Sequence, residues 1–405
     1  MNILYFTALD DEDKSKTGIK NKIYGQCKAM EKLGHKVWLA RFRGEEFVVS
    51  RSGNEVIQCK IKYGNNRLRC ARAFRLIKER GAAWNINMLY IRNPSMCLSA
   101  YRFLKHMRKC KAIVMMELFT YPLNKERFLS AFTALKNKKI KNAVKEFLSL
   151  LLDNMYYPFL KNVVHRLVVL LPVKKIWGIE TVYIQNGIDT EQYKPKSFIR
   201  TEHNITLIGV AYLSYWHGYD RLLRGLKSYY EKRGSEKKKI DFIVIGDGEQ
   251  KAQMQEYVMT NGLEERVHFT GVKTGKDLEE YYDLADVGVA ALGVHRKNIK
   301  YVSTLKSREY FAKGLPFIDS ATDLAFTGEM NKYRLQVPAD DSEINIEDVI
   351  VFAEKYRFQE KARDEMAAYA SRYMDWKSQM SIVIECCEKL LIGNEGKHVT
   401  GKNSE

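Results

Sequence analysis

The segment Ser303-Thr304-Leu305-Lys306-Ser307-Arg308-Glu309 crowds capping hydroxyls, two cations and a carboxylate into two turns of chain. Ser303 or Thr304 supplies an N-cap, Gly314 a left-handed stop, and Pro316 prevents continuation, so a short helix from Leu305 to Lys313 is expected. Its start offers free amides and the positive end of the helix dipole, with Lys306 and Arg308 nearby. That combination suits a diphosphate. A carboxylate beside a phosphate is unfavourable unless it accepts neutral hydroxyls, which makes a ribose the natural partner of Glu309. The same residues also fit a capped surface helix laced by ion pairs.

Three further groups carry candidate chemistry. Phe242 to Ile245 reads as a buried strand ending in Gly246-Asp247-Gly248, where glycines let backbone approach a ligand. His217 stands between Trp216 and Tyr219 in a loop, either as a working imidazole or as a packing residue. Glu117 closes an apolar strand and precedes Leu118-Phe119-Thr120-Tyr121-Pro122. A carboxylate at the carboxyl end of a parallel strand can orient or deprotonate an acceptor hydroxyl, or can simply pair with a cation. His165, His268 and His295 show no metal-ligand spacing, and no metal ligation is expected.

The elements that must position these residues form two alternating series. In the first, strands at Ile3 to Phe6, Lys36 to Ala40, Asn87 to Ile91, Ala112 to Glu117, Arg166 to Leu170 and Thr181 to Gln185 alternate with helical patterns such as Asn21 to Leu33. The second runs through strands at Ile205 to Val210, Ile240 to Ile245, Val267 to Thr270, Val287 to Ala291 and Pro316 to Asp319, again with helices between. Alternation of this kind predicts parallel sheets covered on both faces. An α/β architecture follows, with two Rossmann-like domains facing each other across a cleft. The polar, proline-bearing stretch from Tyr193 to His203 reads as the linker, giving residues 1–195 and 204–372 as domains. Residues 373–392 read as a helix and 393–405 as a disordered tail.

Sixty-seven Lys and Arg against 49 Asp and Glu leave a formal charge of +18 over 405 residues, and hydrophobic residues make up 45%. The composition excludes disorder and collagen and calls for anionic partners. Between Asn124 and Val164 cations alternate with Phe and Leu, and a second basic stretch spans Lys60 to Arg80, a pattern suited to an anionic membrane surface. No run of about 18 uncharged apolar residues spans a membrane. Seven scattered cysteines read as reduced thiols in a cytoplasmic compartment. A nucleic-acid-binding protein would account for the charge, but no recognition helix pair or aromatic sheet platform is present, so no nucleic-acid partner is expected.

Taken in order, Gly18, Asn186-Gly187-Ile188-Asp189, Trp216-His217-Gly218-Tyr219-Asp220-Arg221, Gly246-Asp247-Gly248, Phe269-Thr270-Gly271 and Leu305-Lys306-Ser307-Arg308-Glu309-Tyr310 through Pro316 resemble a GT-B glycosyltransferase of family 4, of the bacterial polysaccharide-assembly type. The resemblance implies metal-independent, retaining transfer from a nucleotide diphosphate sugar to a lipid-linked saccharide acceptor, for capsule or exopolysaccharide. The enzyme would lie peripherally on the inner face of the membrane, with no cofactor beyond the nucleotide-sugar co-substrate. It places the ribose on Glu309, the diphosphate on the amides of Ser303, Thr304 and Leu305, the base against Val272, and the donor near Gly18, Tyr212, Gly246 and Gly248. Glu117 and Tyr121 fall on the acceptor side. Tyr212 and His217 stand where the family has an Arg and a Lys, and Tyr301 where it has the first of two glutamates. Leaving-group stabilisation is therefore assigned to Lys306, Arg308 and His217, helped by the loop His295-Arg296-Lys297. An epimerase acting on a nucleotide sugar is the alternative on the same fold.

Overall fold

The computed structural model describes all residues other than 14–15, 62–64, 93, 119–139, 198–203, 233–237, 300 and 401–405. Within its helices the side chains of 141, 142, 145 and 394–400 are also outside the described set. The chain divides into two compact units, one of residues 1–185 with 376–405 and one of residues 186–375.

The first break thus falls ten residues before the expected boundary at 195. The reason is local: the Asn186 amide donates to Ser303 Oγ at 2.7 Å, and the Ile188 amide to the Met374 carbonyl at 2.9 Å. Both bonds tie this stretch to the second unit, so the polar run after Tyr193 is a connection inside that unit.

In the first unit the elements are β1 (Asn2–Asp10), α1 (Thr17–Lys32), β2 (Lys36–Arg43), β3 (Glu46–Arg51), β4 (Asn54–Lys60), α2 (Asn66–Arg80), β5 (Met88–Arg92), α3 (Leu98–Lys109), β6 (Ile113–Leu118), α4 (Ile140–Tyr156), β7 (Arg166–Val169), β8 (Lys175–Ile176) and β9 (Ile179–Tyr183). Among the described residues the sheet order is β4-β3-β2-β1-β5-β6-β7-β9-β8. The strands from β2 to β9 through β1 pair in parallel, while β3, β4 and β8 add antiparallel edges. The β3–β4 hairpin is absent from the sequence reading because its strands mix charges with apolar residues. Its two-residue turn nevertheless has the expected left-handed pair, Ser52 at φ 49° and Gly53 at φ 82°.

Strand alternation sorts this sheet into two faces. Leu4, Phe6, Leu89, Ile91, Val114 and Met116 join one core with Phe74 of α2 and Phe103 of α3. Tyr5, Tyr90 and Glu117 occupy alternate positions and so face the other way. There α1 packs with the last helix of the chain, Trp376–Thr400, whose Trp376 indole lies so close to Gly25 that a Cβ there would sit 2.4 Å from the ring. The expected disordered tail begins inside this helix, which runs on past residue 393.

The second unit contains β10 (Ile205–Val210), α5 (Tyr219–Glu231), β11 (Ile240–Ile245), α6 (Lys251–Thr260), β12 (Val267–Gly271), α7 (Gly275–Leu284), β13 (Val287–Val289), α8 (Leu305–Ala312), β14 (Phe317–Asp319), β15 (Arg334–Gln336), α9 (Ile346–Tyr356) and α10 (Glu360–Tyr373); the Trp376–Thr400 helix is then α11. Its sheet runs β12-β11-β10-β13-β14-β15, with parallel pairing throughout the described strands. Short, fully buried strands such as Phe242–Ile245 fit a sheet covered on both faces. In a parallel sheet the loops after the strands gather at the carboxyl edge, where the following helices begin, and ligands seat there.

Candidate donor site

The start of α8 belongs to that edge. Thr304 is its N-cap, accepting from the Ser307 amide at 3.3 Å, with the Thr304 and Ser307 hydroxyls 2.7 Å apart. Ser303 accepts from Asn186 through both its hydroxyl and its carbonyl. Leu305 opens the helix itself. The loop after β10 supplies the other wall, because Gly218 at φ 67° lets it meet the loop after β13: a Cβ there would lie 2.5 Å from the Gly293 amide nitrogen. Arg221, fully buried, pins the second loop by donating to the carbonyls of Ser342, Leu292 and Pro338.

Lys306 is the unusual residue of this edge. Its stem is partly exposed, but its Nζ is buried, has no hydrogen-bond partner among the described residues, and lies 5.6 Å from the centroid of the Tyr219 ring. Burial pulls its pKa down from 10.5 to about 7, with only Glu309 opposing. His217 is beside it. Burial, together with the positive charges of Lys306 and Lys297, pushes the imidazole well below its ordinary pKa, while its Nδ1 accepts from the Ser214 amide at 3.3 Å. His217 is therefore neutral at physiological pH and brings no positive charge to the leaving-group role assigned to it. Lys297 lies over the Trp216 ring at 3.8 Å.

Arg308 needs a second correction. It is fully buried, with its guanidinium forked onto Asp323 (Nη2 to Oδ1 at 2.8 Å, Nη1 to Oδ2) and further bonds to Asn186, Thr304 and Ser307. A side chain so buried and so paired holds the helix start in place, its charge already met by Asp323. Arg296 is likewise clamped by Asp220 and Asp341, and His295 lies 3.2 Å from Asp341, so the loop His295-Arg296-Lys297 brings only Lys297 near the site.

The glycines after β11 have a different task from the one expected. A Cβ at Gly246 would lie 1.8 Å from the Ala211 carbonyl oxygen and one at Gly248 2.5 Å from the Leu213 oxygen. The Gly246 amide donates to the Gly271 carbonyl and the Gly248 amide to Asp247 Oδ1. They pack two loops together, with their amides already engaged. Tyr212 is exposed and bonds to Glu249. Val272, 69% exposed, follows β12 on the same edge. Glu309 accepts from the Tyr193 hydroxyl at 3.0 Å, and burial raises its pKa against the pull of Tyr193, Lys306 and Lys313. Tyr193 escaped the sequence reading because it sits in the stretch read as linker.

The remaining expectations fall on the first unit. Gly18 is exposed in the first turn of α1. Tyr121 lies outside the described residues. Glu117 is fully buried and bound from several sides: Lys22 at 2.8 Å, Arg92 at 3.5 Å, the Tyr90 hydroxyl at 2.8 Å and Gln26 at 3.2 Å. Despite burial, which raises the pKa, these partners hold it down at about 2. A carboxylate that acidic and that enclosed is no acceptor base, and the expectation is corrected. Among the described residues no group of three or more His, Cys, Asp or Glu side chains could hold a metal ion.

The comparisons agree with this architecture. Residues 202–353, the greater part of the second unit, match the family model described as glycosyl transferases group 1. No curated protein matches the chain. Among solved structures, a glycosyltransferase from Rickettsia africae is similar at TM-score 0.63 and 12% identity, over 96% of this chain and 98% of that one. HepE of Anabaena in complex with UDP is similar at TM-score 0.57 and 13% identity, over 96% and 99%. The catalytic domain of starch synthase IV from Arabidopsis thaliana, bound to ADP and acarbose, is similar at 0.61 and 12%, over 96% and 99%. The fold is GT-B, two Rossmann-like units.

Proposed function

We propose that the chain is a glycosyltransferase of family 4 type, taking a sugar with retention from a nucleotide diphosphate sugar, without a metal ion, and passing it to a lipid-linked saccharide of a surface polysaccharide. The observation that carries this reading is the buried, unpartnered ammonium of Lys306 at the start of α8, inside the segment that matches the group 1 family model. A cation held there costs desolvation, which a bound anion would offset. The helix dipole and free amides of α8 point the same way, towards a diphosphate. Two similar structures carry UDP and ADP, which supports a nucleotide on this edge.

In the reaction the bond from the anomeric carbon to the diphosphate oxygen breaks as a bond to the acceptor hydroxyl oxygen forms on the same face. The hydroxyl proton passes to the departing diphosphate. Lys306 stabilises the charge that grows on that group, the role through which electrostatics contribute most to such steps. Glu309 accepts from the ribose hydroxyls, and Val272 lies against the base. The net charge of +18 supports work at the inner, anionic face of a membrane.

Thermal unfolding with UDP, GDP, ADP and dTDP tests the reading. A diphosphate at about 100 times its Kd adds about 2.7 kcal/mol of stability, and the responding nucleotide names the donor. If none shifts the transition, the donor site is wrongly placed. Incubation with donor alone separates transfer from epimerisation, since only an epimerase changes the sugar without an acceptor.

A further inference from the structure

The outer layer of the first unit carries a surface that the donor chemistry leaves unexplained. Along α4 and the turn after it, Val144, Phe147, Leu148, Leu151, Met155 and Phe159 recur at helical spacing, each 48–64% exposed. The opposite side of the same helix is well anchored. Ala143, Leu150 and Asp153 are buried, and Arg67 of α2 donates to the Ser149 carbonyl and hydroxyl and to Asp153. The apolar stripe is therefore the outward face of a docked helix, whereas a helix in contact with water ordinarily turns its polar side out.

Its neighbours supply the charge. Helices α2 and α3 pack beside one another through stacked Phe74 and Phe103 rings at 4.4 Å, and α3 meets α4 through Tyr101 and Tyr156 at 6.1 Å. The outward residues of α2 include Arg72 and Arg75, with Glu79 on the same face, and those of α3 include Arg102, Lys105, Arg108 and Lys109, all exposed. One layer thus joins an apolar helix face to two cationic ones.

We propose that the outer layer formed by α2, α3 and α4 docks on an anionic phospholipid bilayer, α4 lying along the interface with its apolar stripe among the acyl chains and the α2 and α3 cations on the headgroups. No described helix is long and apolar enough to cross a membrane, so the contact is a surface one. A second copy of the chain is the less fitting occupant, because the cationic faces would then meet their own charge. The inference rests on the proposed lipid-linked acceptor for its purpose, bringing the enzyme to where that substrate lies.

Cosedimentation of the full chain with phosphatidylglycerol–phosphatidylcholine vesicles, against phosphatidylcholine alone, tests it. Binding to the anionic vesicles is expected to be at least about tenfold tighter and to weaken with salt. Leu148→Glu with Leu151→Glu should lower the partition coefficient by about tenfold or more, while the thermal shift with nucleoside diphosphate stays as in the unsubstituted chain. Should that variant fold poorly, Arg72→Glu with Arg102→Glu reads the headgroup contact instead. No binding to anionic vesicles, equal binding to both vesicle types, or binding unchanged in both variants would overturn the proposal. So would light scattering that shows a dimer dispersed by the α4 substitutions. The nucleotide shift tells the two failures apart: its absence with vesicle binding intact counts against the donor site alone.

Discussion

Two buried charges of the molecule, Glu117 in the first unit and Lys306 in the second, look alike in sequence and differ in their surroundings. Each lies at the carboxyl edge of a parallel sheet, Glu117 next to last in β6 and Lys306 second in α8. Glu117 is met by two cations, a tyrosine hydroxyl and an amide, and its pKa is held at about 2. Lys306 has no hydrogen-bond partner at its Nζ among the described residues, and burial pulls its pKa to about 7. In the first case the fold has completed the site and the charge serves stability. In the second, among the described residues, it has left the ammonium without a hydrogen-bond partner, and under the proposed function a diphosphate completes it. Arg308 sharpens the contrast within one helix, since two residues from Lys306 its charge is paired with Asp323 and it also donates to backbone carbonyls.

The strongest way to break this comparison is to empty the satisfied pair. Glu117→Gln leaves the buried Lys22 without its carboxylate, and a cost of about 3–5 kcal/mol in urea unfolding of the first unit is expected. The pH dependence carries the same information. Because the folded pKa lies below the ordinary 4.5, the contribution is complete above about pH 4.5 and is lost as pH falls through about 2. Donor binding should not change in this variant. If Glu117→Gln folds with unaltered stability and loses transfer instead, Glu117 is a working group and the contrast collapses.

Lys306→Met comes next, and its two readouts should move in opposite directions. Transfer should fall by about 100-fold, or about 2.7 kcal/mol, the usual effect of losing one group that stabilises the departing charge. Stability of the empty protein should hold or rise. The folded amine has a pKa near 7 and the unfolded one near 10.5, so between these values the unfolded chain binds more protons and charging the lysine opposes folding. A variant that lost stability together with activity would make Lys306 a structural residue like Arg308.

Much of this was legible in the sequence, and the losses have a common cause. The alternation of apolar strands and helices gave both parallel sheets, since fully buried strands such as Phe242–Ile245 are apolar without interruption. The caps of α8 were legible because Thr304 and Gly314 have the chemistry that helix ends require; Gly314 indeed adopts φ 67°. Burial and pairing of charges were not. Lys306 and Arg308 are two cations on one short helix, and nothing local says that Asp323, fifteen residues on, takes one of them. The unit boundary was missed for the same reason, because the bond from Asn186 to Ser303 joins residues more than a hundred positions apart.

A subtler test uses pH on the binding step. A bound diphosphate favours the ammonium form of Lys306, so nucleotide affinity is full below about pH 7 and declines as the amine of the empty site loses its proton. Titration calorimetry with the responding nucleotide should show a loss of about tenfold between about pH 6 and about pH 9, with proton uptake in the upper half of that range. Lys306→Arg keeps its charge throughout and should flatten the profile even if it binds less well. A wild-type profile that is flat over this range would place the diphosphate away from Lys306.

The smallest effect concerns Glu309, which lies between the two cases. Burial raises its pKa as it would for an unsatisfied carboxylate, yet the Tyr193 hydroxyl donates to it at 3.0 Å. Tyr193→Phe removes that bond, worth about 1 kcal/mol, and lets the pKa of Glu309 climb further towards neutrality. If Glu309 holds the ribose as an ionised acceptor, KM for the donor should rise by about fivefold while kcat changes little, and lowering the pH should widen the gap between variant and wild type. A loss confined to thermal stability, with KM unmoved, would instead put Glu309 with Glu117, among charges the fold has already satisfied.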